Sequence, residues 1–248
     1  MISAEKLNLK SAEGFLRVGF DGDQLPELVL LDLDRLQEQL TANIFDPAEY
    51  LTTRELTTFQ GFKYQKRKIE WLGGRLAAKQ AVLYHTGRMP SAKAMREWSI
   101  SADQNGKPFL KSRSGNSPSL SISHSQGLAA AMVTDQWSCG LDIQKVSEAT
   151  VRVKEKFCTA EEEGIIASIN LANPPAFALT LLWAGKEALR KARGGHPLTG
   201  FTAMRLNGTV TIGEGHWLFT MQVQNNLYRI LTFFYLDYAM ALCVIRQS

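Results

Sequence analysis

Cysteine is scarce here: Cys139, Cys158 and Cys243 stand far apart among 248 residues, with no C-x-x-C pair and no histidine at ligand spacing. That pattern argues against a disulfide scaffold or a zinc site and leaves three reduced, buried small side chains. No apolar run approaches the roughly 18 residues of a membrane span. The opening MISAEKLNLK mixes charges where a secretory leader would carry a hydrophobic core. The expectation is a cytoplasmic protein with no membrane partner. The chain also lacks a Walker A loop, a G-x-G-x-x-G turn, an H-E-x-x-H helix and a G-x-S-x-G elbow. Strong charge is missing too. A net charge of +4 and a pI near 8.9 are too mild to argue for nucleic acid, though they suit a polyanionic ligand or an acidic partner.

What is present is the composition of a globular protein, 45% hydrophobic and 21% charged, long enough for one large domain or two small ones. LPELVLLDLDRLQEQL reads as a strand leading into a helix. Residues 59–86 read as one long helix with Ile69, Leu72, Leu76 and Leu83 toward the core and Gly87 as its stop. Strand-like runs follow at EWSIS, PSLSISHS and LAAAMVTD, separated by the turn-rich DQNGKP and KSRSGNSP. After WSCGLDIQK the pattern predicts helices near 147–157, from Thr159, and over 175–192. The last is preceded by Pro174–Pro175 and stopped by Gly194–Gly195. The tail alternates as strands: FTAMRLNG, TVTIGEG, HWLFTMQVQ, LYRILTFFY and YAMALCVI.

Trp71-x-Gly73…Lys79 matches Trp183-x-Gly185…Lys191 at an offset of 112, and LAAAMV falls on MALCVI at the same offset. The shared register suggests a duplicated chain, with halves 1–136 and 137–248 and a ligand in the cleft between them.

Asp142 is an acid between Leu141 and Ile143 in a strand that otherwise reads as buried. A lone buried carboxylate costs several kcal/mol unless it is paired or metal-bound. It could equally form a structural ion pair. Gln144, two residues on, shares its face and offers a neutral oxygen to a cation or a water. In AFALTLLWAGKEALRK, Phe177, Leu181, Ala184 and Ala188 form a core stripe. Glu187 and Lys191 lie beside that stripe, and Lys186 points away. A Glu–Lys pair at i, i+4 is either a surface bridge or a carboxylate for a cation with an ammonium for a phosphate. In SISHS, Ser121, Ser123 and Ser125 share one face of a strand, with Ile122 and His124 on the other. NGKP is a turn that can set Lys107 against an anion, with Pro108 fixing the exit. Lys68, Arg75 and Lys79 share one side of a helix, consistent with either a solvated face or an anion-binding edge.

In order and spacing, GLDIQKV followed by WAGKEALRK, with Glu187 45 residues after Asp142, resembles the paired signatures of the Sfp-type 4′-phosphopantetheinyl transferases. GRLAAK, NGKP and SISHS resemble the elements that precede them, so the likeness covers roughly residues 60–195. The resemblance implies an α+β fold of two similar halves, monomeric, with the active site in the cleft between them. It implies an enzyme that moves 4′-phosphopantetheine from coenzyme A to a serine of an acidic apo acyl or peptidyl carrier protein, releasing adenosine 3′,5′-bisphosphate. By the same resemblance Asp142 and Glu187, with Gln144, would hold Mg²⁺. His124, Lys191 and Ser123 would contact phosphates, and Arg75, Lys107 and Pro108 would surround the nucleotide end. Glu187 and Lys191 would serve catalysis, with Glu187 or a hydroxide on the metal as base.

Two departures stand out: Gln144 replaces a third acid, and Ala184 replaces a small polar residue. The first keeps open an alternative, a catalytically impaired relative that binds coenzyme A or carrier without transfer.

Overall fold

The computed structural model describes residues 4–6, 25–111, 117–135, 137–169, 175–195 and 199–246. Pro174 and most of KSRSGNSP lie outside the described residues. The chain from Pro26 to Trp137 forms one compact unit, and the chain from Ser138 onward forms another.

In the first unit, β1 (Ala4–Lys6) pairs antiparallel with β2 (Glu27–Asp32). The apolar run in β2 buries four consecutive residues. It passes directly into α1 (Leu33–Thr41), where the Asp32 carboxylate accepts the Arg35 N–H and so caps the helix. Next come α2 (Pro47–Tyr50), α3 (Thr53–Gln60), α4 (Gln65–His85) and α5 (Ala92–Arg96). A hairpin of β3 (Ser99–Ala102) and β4 (Pro108–Lys111) follows, then a second hairpin of β5 (Ser119–Ser125) and β6 (Leu128–Thr134). The main sheet has the order β1-β2-β6-β5.

The single helix expected over 59–86 is two helices. A capping box of Thr52 and Glu55 starts α3 early, and the chain turns at Gly61, whose N–H closes on Thr57. The far end matches expectation: Thr86 caps α4, and Gly87 follows at φ +70°, a conformation that favours glycine. Ile69, Leu72, Leu76 and Leu83 are buried as the periodicity predicts. Burial nevertheless runs unbroken on α4 from Leu76 to Leu83, because β2 and β6 cover one side while α1, α3 and α5 cover others.

The second unit opens with β7 (Trp137–Lys145) and α6 (Glu148–Arg152), followed by a 3₁₀ turn at Lys154–Lys156. Then come α7 (Ala160–Ala167) and α8 (Pro175–Arg193). The chain ends in β8 (Arg205–Gly213), β9 (His216–Val223), β10 (Asn226–Tyr235) and β11 (Tyr238–Arg246). The sheet order is β7-β11-β10-β9-β8, with α8 packed on β11 and β10. The helix expected near 147–157 is broken at Val153, where the β-branched Thr150, Val151 and Val153 favour helix weakly. FTAMRLNG and TVTIGEG are not separate strands. Phe201–Ala203 is a 3₁₀ turn, and β8 runs through Gly208 on a register shift, so that glycine marks a bulge.

Both units pack helices against antiparallel pairs, and the fold class is α+β. One glycine decides how close β7 can come to α8. A Cβ on Gly140 would fall 1.9 Å from the carbonyl oxygen of Ala188, so only glycine lets the strand lie against that helix.

Candidate active site

β7 and α8 carry the candidate residues of the second unit. Asp142 projects from β7 with 8% of its side chain exposed, and Glu187 from α8 with 14%. Lys191, one turn beyond Glu187, reaches across to the strand. Its ammonium donates to Asp142 Oδ1 at 2.8 Å and to the Leu141 carbonyl at 2.9 Å. Arg190 donates to Glu187 Oε1 at 2.8 Å. Burial raises the Glu187 pKa, and the negative charge of nearby Asp142 raises it further, while Arg190 and Lys191 pull the other way. Two carboxylates 45 residues apart in sequence therefore sit close enough to feel each other. Gln144 is half-buried on the Asp142 face of β7.

This donor set fits a hard divalent cation. Mg²⁺ commonly takes one or two carboxylates and keeps several waters, and a dication would relieve the repulsion that lifts Glu187. Among the described residues, no cluster of three or more His, Cys, Asp or Glu side chains forms a fuller metal site.

Lys186 corrects the helical-wheel reading. It does not point away. Its side chain is fully buried, and its ammonium donates to Glu162 Oε1 at 2.6 Å, to Phe157 O at 2.6 Å and to Phe201 O at 3.2 Å. The wheel fails because α8 is covered on two sides, by the sheet and by α6 and α7. Lys79 likewise belongs to no anion-binding edge. It is fully buried on α4, bonded to Glu55 Oε2 at 2.6 Å and to Tyr50 O at 2.9 Å. Burial pushes both ammonium pKa values down, and the paired glutamates oppose that.

The first unit holds the other candidates. Arg75, on α4, lies over the Trp71 ring at 4.9 Å. Its Nε is buried without a hydrogen bond, and burial lowers its pKa despite Glu55 nearby. On β5 the three serines form the buried face, while Ile122 and His124 form the half-buried one. Glu70, missed in the sequence, approaches His124 Nδ1 at 3.8 Å. The packing explains it: Gly74 meets Ile122, and one turn back on α4 Glu70 meets His124, two residues along β5. Lys107 and Pro108 lie at the β3–β4 turn. There the Asp103 carboxylate accepts the N–H groups of Asn105 and Lys107, and Gly106 adopts φ +82°. Thus Asp142, Glu187 and Lys191 come together in one unit with Gln144 on the same strand face. Arg75, Lys107, Pro108, Ser123 and His124 belong to the other. Arg190 was also missed; an arginine three residues after a glutamate on a helix is too common a pattern to single out.

The model of the 4′-phosphopantetheinyl transferase superfamily matches residues 138–243, a span within the second unit that includes Asp142, Glu187 and Lys191. A holo-[acyl-carrier-protein] synthase of Lactococcus lactis subsp. cremoris is 40% identical over 106 residues, which are 42% of this chain and 88% of that protein. Its counterpart in Bacillus pumilus is 34% identical over 110 residues, 43% of this chain and 89% of the relative. A solved holo-(acyl-carrier-protein) synthase from Bacillus anthracis, in complex with CoA (3′,5′-ADP), is 28% identical with a TM-score of 0.39. That likeness covers 44% of this chain and 93% of the solved one. With a relative 40% identical matched over 88% of its own length, and the family model matched over residues 138–243, the chain belongs to the 4′-phosphopantetheinyl transferase superfamily.

Proposed function

We propose that this chain is a Mg²⁺-dependent enzyme that transfers 4′-phosphopantetheine from coenzyme A to a serine of an apo carrier protein. The observation that carries the reading is the meeting of Asp142 and Glu187, with Lys191 bonded to the first and following the second by one helical turn. The name of the relatives, holo-[acyl-carrier-protein] synthase, supports an acyl carrier protein as acceptor.

In this reaction the serine oxygen bonds to the phosphorus nearest the pantetheine. The pyrophosphate P–O bond breaks, and adenosine 3′,5′-bisphosphate leaves with the electron pair. Bound Mg²⁺ would neutralise charge on the pyrophosphate, held by Asp142 and Glu187 with Gln144 on a water or as a weak ligand. Lys191 supplies a fixed positive charge beside Asp142 and a donor for a phosphate oxygen. Glu187, whose raised pKa makes it a better proton acceptor than an ordinary glutamate, takes the serine proton. Arg190 orients the Glu187 carboxylate through Oε1. From the first unit, His124, Ser123, Arg75, Lys107 and Pro108 are proposed as coenzyme A ligands. Catalysis is then positioning and charge neutralisation, with no covalent enzyme intermediate. Two similar halves within one chain further support a monomeric enzyme of the Sfp type.

The test is to incubate the protein with apo-acyl carrier protein, coenzyme A and Mg²⁺ and to weigh the carrier. The reading expects a gain of one phosphopantetheinyl group, abolished by a chelator. No gain would reject it. A second reading is favoured by Gln144 and by the cations already seated on both acids. Here the chain is an impaired relative that binds coenzyme A or carrier without transfer. Calorimetric coenzyme A binding with an unchanged carrier mass would establish that reading.

A further inference from the structure

Glu70 is an acid beside a residue assigned to anions. It lies on α4 with its side chain only 15% exposed, and its Oε1 stands 3.8 Å from Nδ1 of His124 on β5, which is 32% exposed. Burying a carboxylate is costly without a partner, and its charge would repel the phosphates assigned to His124 above. Lys66 and Arg67, one turn earlier on α4, are exposed and do not pair with it. Among the described residues, Glu70 forms no ion pair but the one with His124.

Small residues build the contact. A Cβ on Gly74 would fall 2.8 Å from Ile122 Cγ2, and a β-branched isoleucine has little rotamer freedom to yield, so glycine lets α4 close on β5 there. Opposite Ile122 and His124 on β6 stand Ala131 and Ala129, both fully buried, whose methyls leave room over the sheet for the helix. One turn back from Gly74 that helix presents a carboxylate, and two residues along from Ile122 the strand presents an imidazole. At 3.8 Å the pair is too long for a direct hydrogen bond, but an opposite charge within about 4–6 Å favours a charged ring. A carboxylate on the Nδ1 side also sets which way a histidine ring lies, as acids behind metal-bound histidines do.

We propose that Glu70 is a positioning residue: it holds the His124 ring with Nδ1 turned toward it and stabilises its cation, so that Nε2 donates to a phosphate oxygen of coenzyme A. The inference rests on the proposed function, in which His124 is a coenzyme A ligand. Glu70 itself touches no substrate. Its favourable effect on affinity runs wholly through His124, and without that ring the acid only repels phosphate.

The experiment is a double-mutant cycle read by calorimetric binding of coenzyme A to wild type, Glu70→Gln, His124→Ala and the double variant, with Glu70→Asp as the charge-preserving control. Glutamine keeps the shape of glutamate and removes its charge. Glu70→Gln should weaken coenzyme A about fivefold, the difference between a charged and a neutral donor, and Glu70→Asp should recover most of that loss. In the His124→Ala background the same change should weaken nothing. Imidazole ¹⁵N spectra at one fixed pH near neutrality give a readout that a merely structural acid would not move. The chain has four histidines, and the signals lost in His124→Ala assign this ring. In Glu70→Gln the His124 nitrogens should shift from the imidazolium pattern toward the neutral one. Equal losses of affinity in both His124 backgrounds would make Glu70 structural and overturn the proposal. Tighter binding by Glu70→Gln would do the same, leaving the acid a repulsive charge and nothing more. Should wild type bind no coenzyme A, the proposed function fails separately and the spectra decide: a shifted His124 signal in Glu70→Gln supports the pair, and superimposable spectra overturn it.

Discussion

In the first unit, Lys79 leaves α4 to bond Glu55, the glutamate of the Thr52 capping box, and the carbonyl of Tyr50. The second carboxylate oxygen of Glu55 accepts the Ile100 N–H. In the second unit, Lys186 leaves α8 to bond Glu162, the glutamate of the Thr159 capping box, and the carbonyl of Phe157; Glu162 in turn accepts the Leu206 N–H. The two constructions match group for group at an offset of 107 residues for lysine, threonine, glutamate and carbonyl. What stands beside them does not match. Lys79 is followed by the buried amide Gln80, and Lys186 by the carboxylate Glu187. Five residues on, the first unit has Tyr84 where the second has Lys191. A buried ion pair pins the long helix to a capped neighbour in both units, and in only one does the next residue carry an acid. We propose that the units are copies of one ancestral half and that this construction is what the copies kept.

The largest effect tests what the two constructions share. Lys79→Met or Lys186→Met leaves a buried glutamate uncompensated and should cost about 3–5 kcal/mol in urea unfolding, similarly in the two units. A loss near zero at either position would mean that its pair holds nothing in place. Next comes the contrast in chemistry. Glu187→Gln or Asp142→Asn should slow transfer on the order of 10²-fold or more, because metal-supplied stabilisation is worth several kcal/mol. A folded variant with near-normal turnover would remove the metal assignment.

Glycine contacts rank below these. Gly140→Ala drives a methyl against the backbone of α8 and should destabilise by about 1–3 kcal/mol or more. Gly73→Ala clashes with the movable end of the Leu33 side chain and otherwise makes ordinary contacts with Ala129 and Leu31, so it should cost less. Thermal melts of the two variants would order them.

The smallest effect is electrostatic. Glu187 is raised above its unfolded value, so the native state holds its proton more tightly and stability falls as pH rises through that window. Above the window, without Mg²⁺, Glu187→Gln should melt slightly higher than wild type, and added Mg²⁺ should stabilise wild type more than the variant. Equal responses to Mg²⁺ would separate Glu187 from the metal. Gln144→Glu should tighten Mg²⁺ in a calorimetric titration and leave transfer intact.

The acids of the site were legible because a carboxylate within the apolar run of β7 has few inexpensive explanations, and its spacing to Glu187 matched a known pattern. The lysines were not. Lys79 and Lys186 are polar letters on helices that a single apolar stripe would assign to solvent, and their partners lie 24 residues earlier in each case. Only tertiary packing, which covers α4 and α8 on more than one side, turns them inward. The sequence repeat at 112 residues aligned Lys79 with Lys191, whereas their partners align Lys79 with Lys186. The strands LAAAMV and MALCVI keep the offset of 112, so five extra residues separate helix from final strand in the second unit. Helix ends were legible where chemistry marked them, at Gly87 and Gly194–Gly195, both in left-handed backbone. The break at Gly61 was not, because it depends on where α3 begins.

The central claim is that Asp142 and Glu187 together carry phosphopantetheinyl transfer. Mass spectrometry of apo-acyl carrier protein, sampled over time with coenzyme A, Mg²⁺ and either wild type or Glu187→Gln, tests it most directly. The account predicts conversion of the carrier by wild type and a rate on the order of 10²-fold lower or less with the variant. An unmodified carrier with wild type, or equal rates for the two proteins, would contradict it.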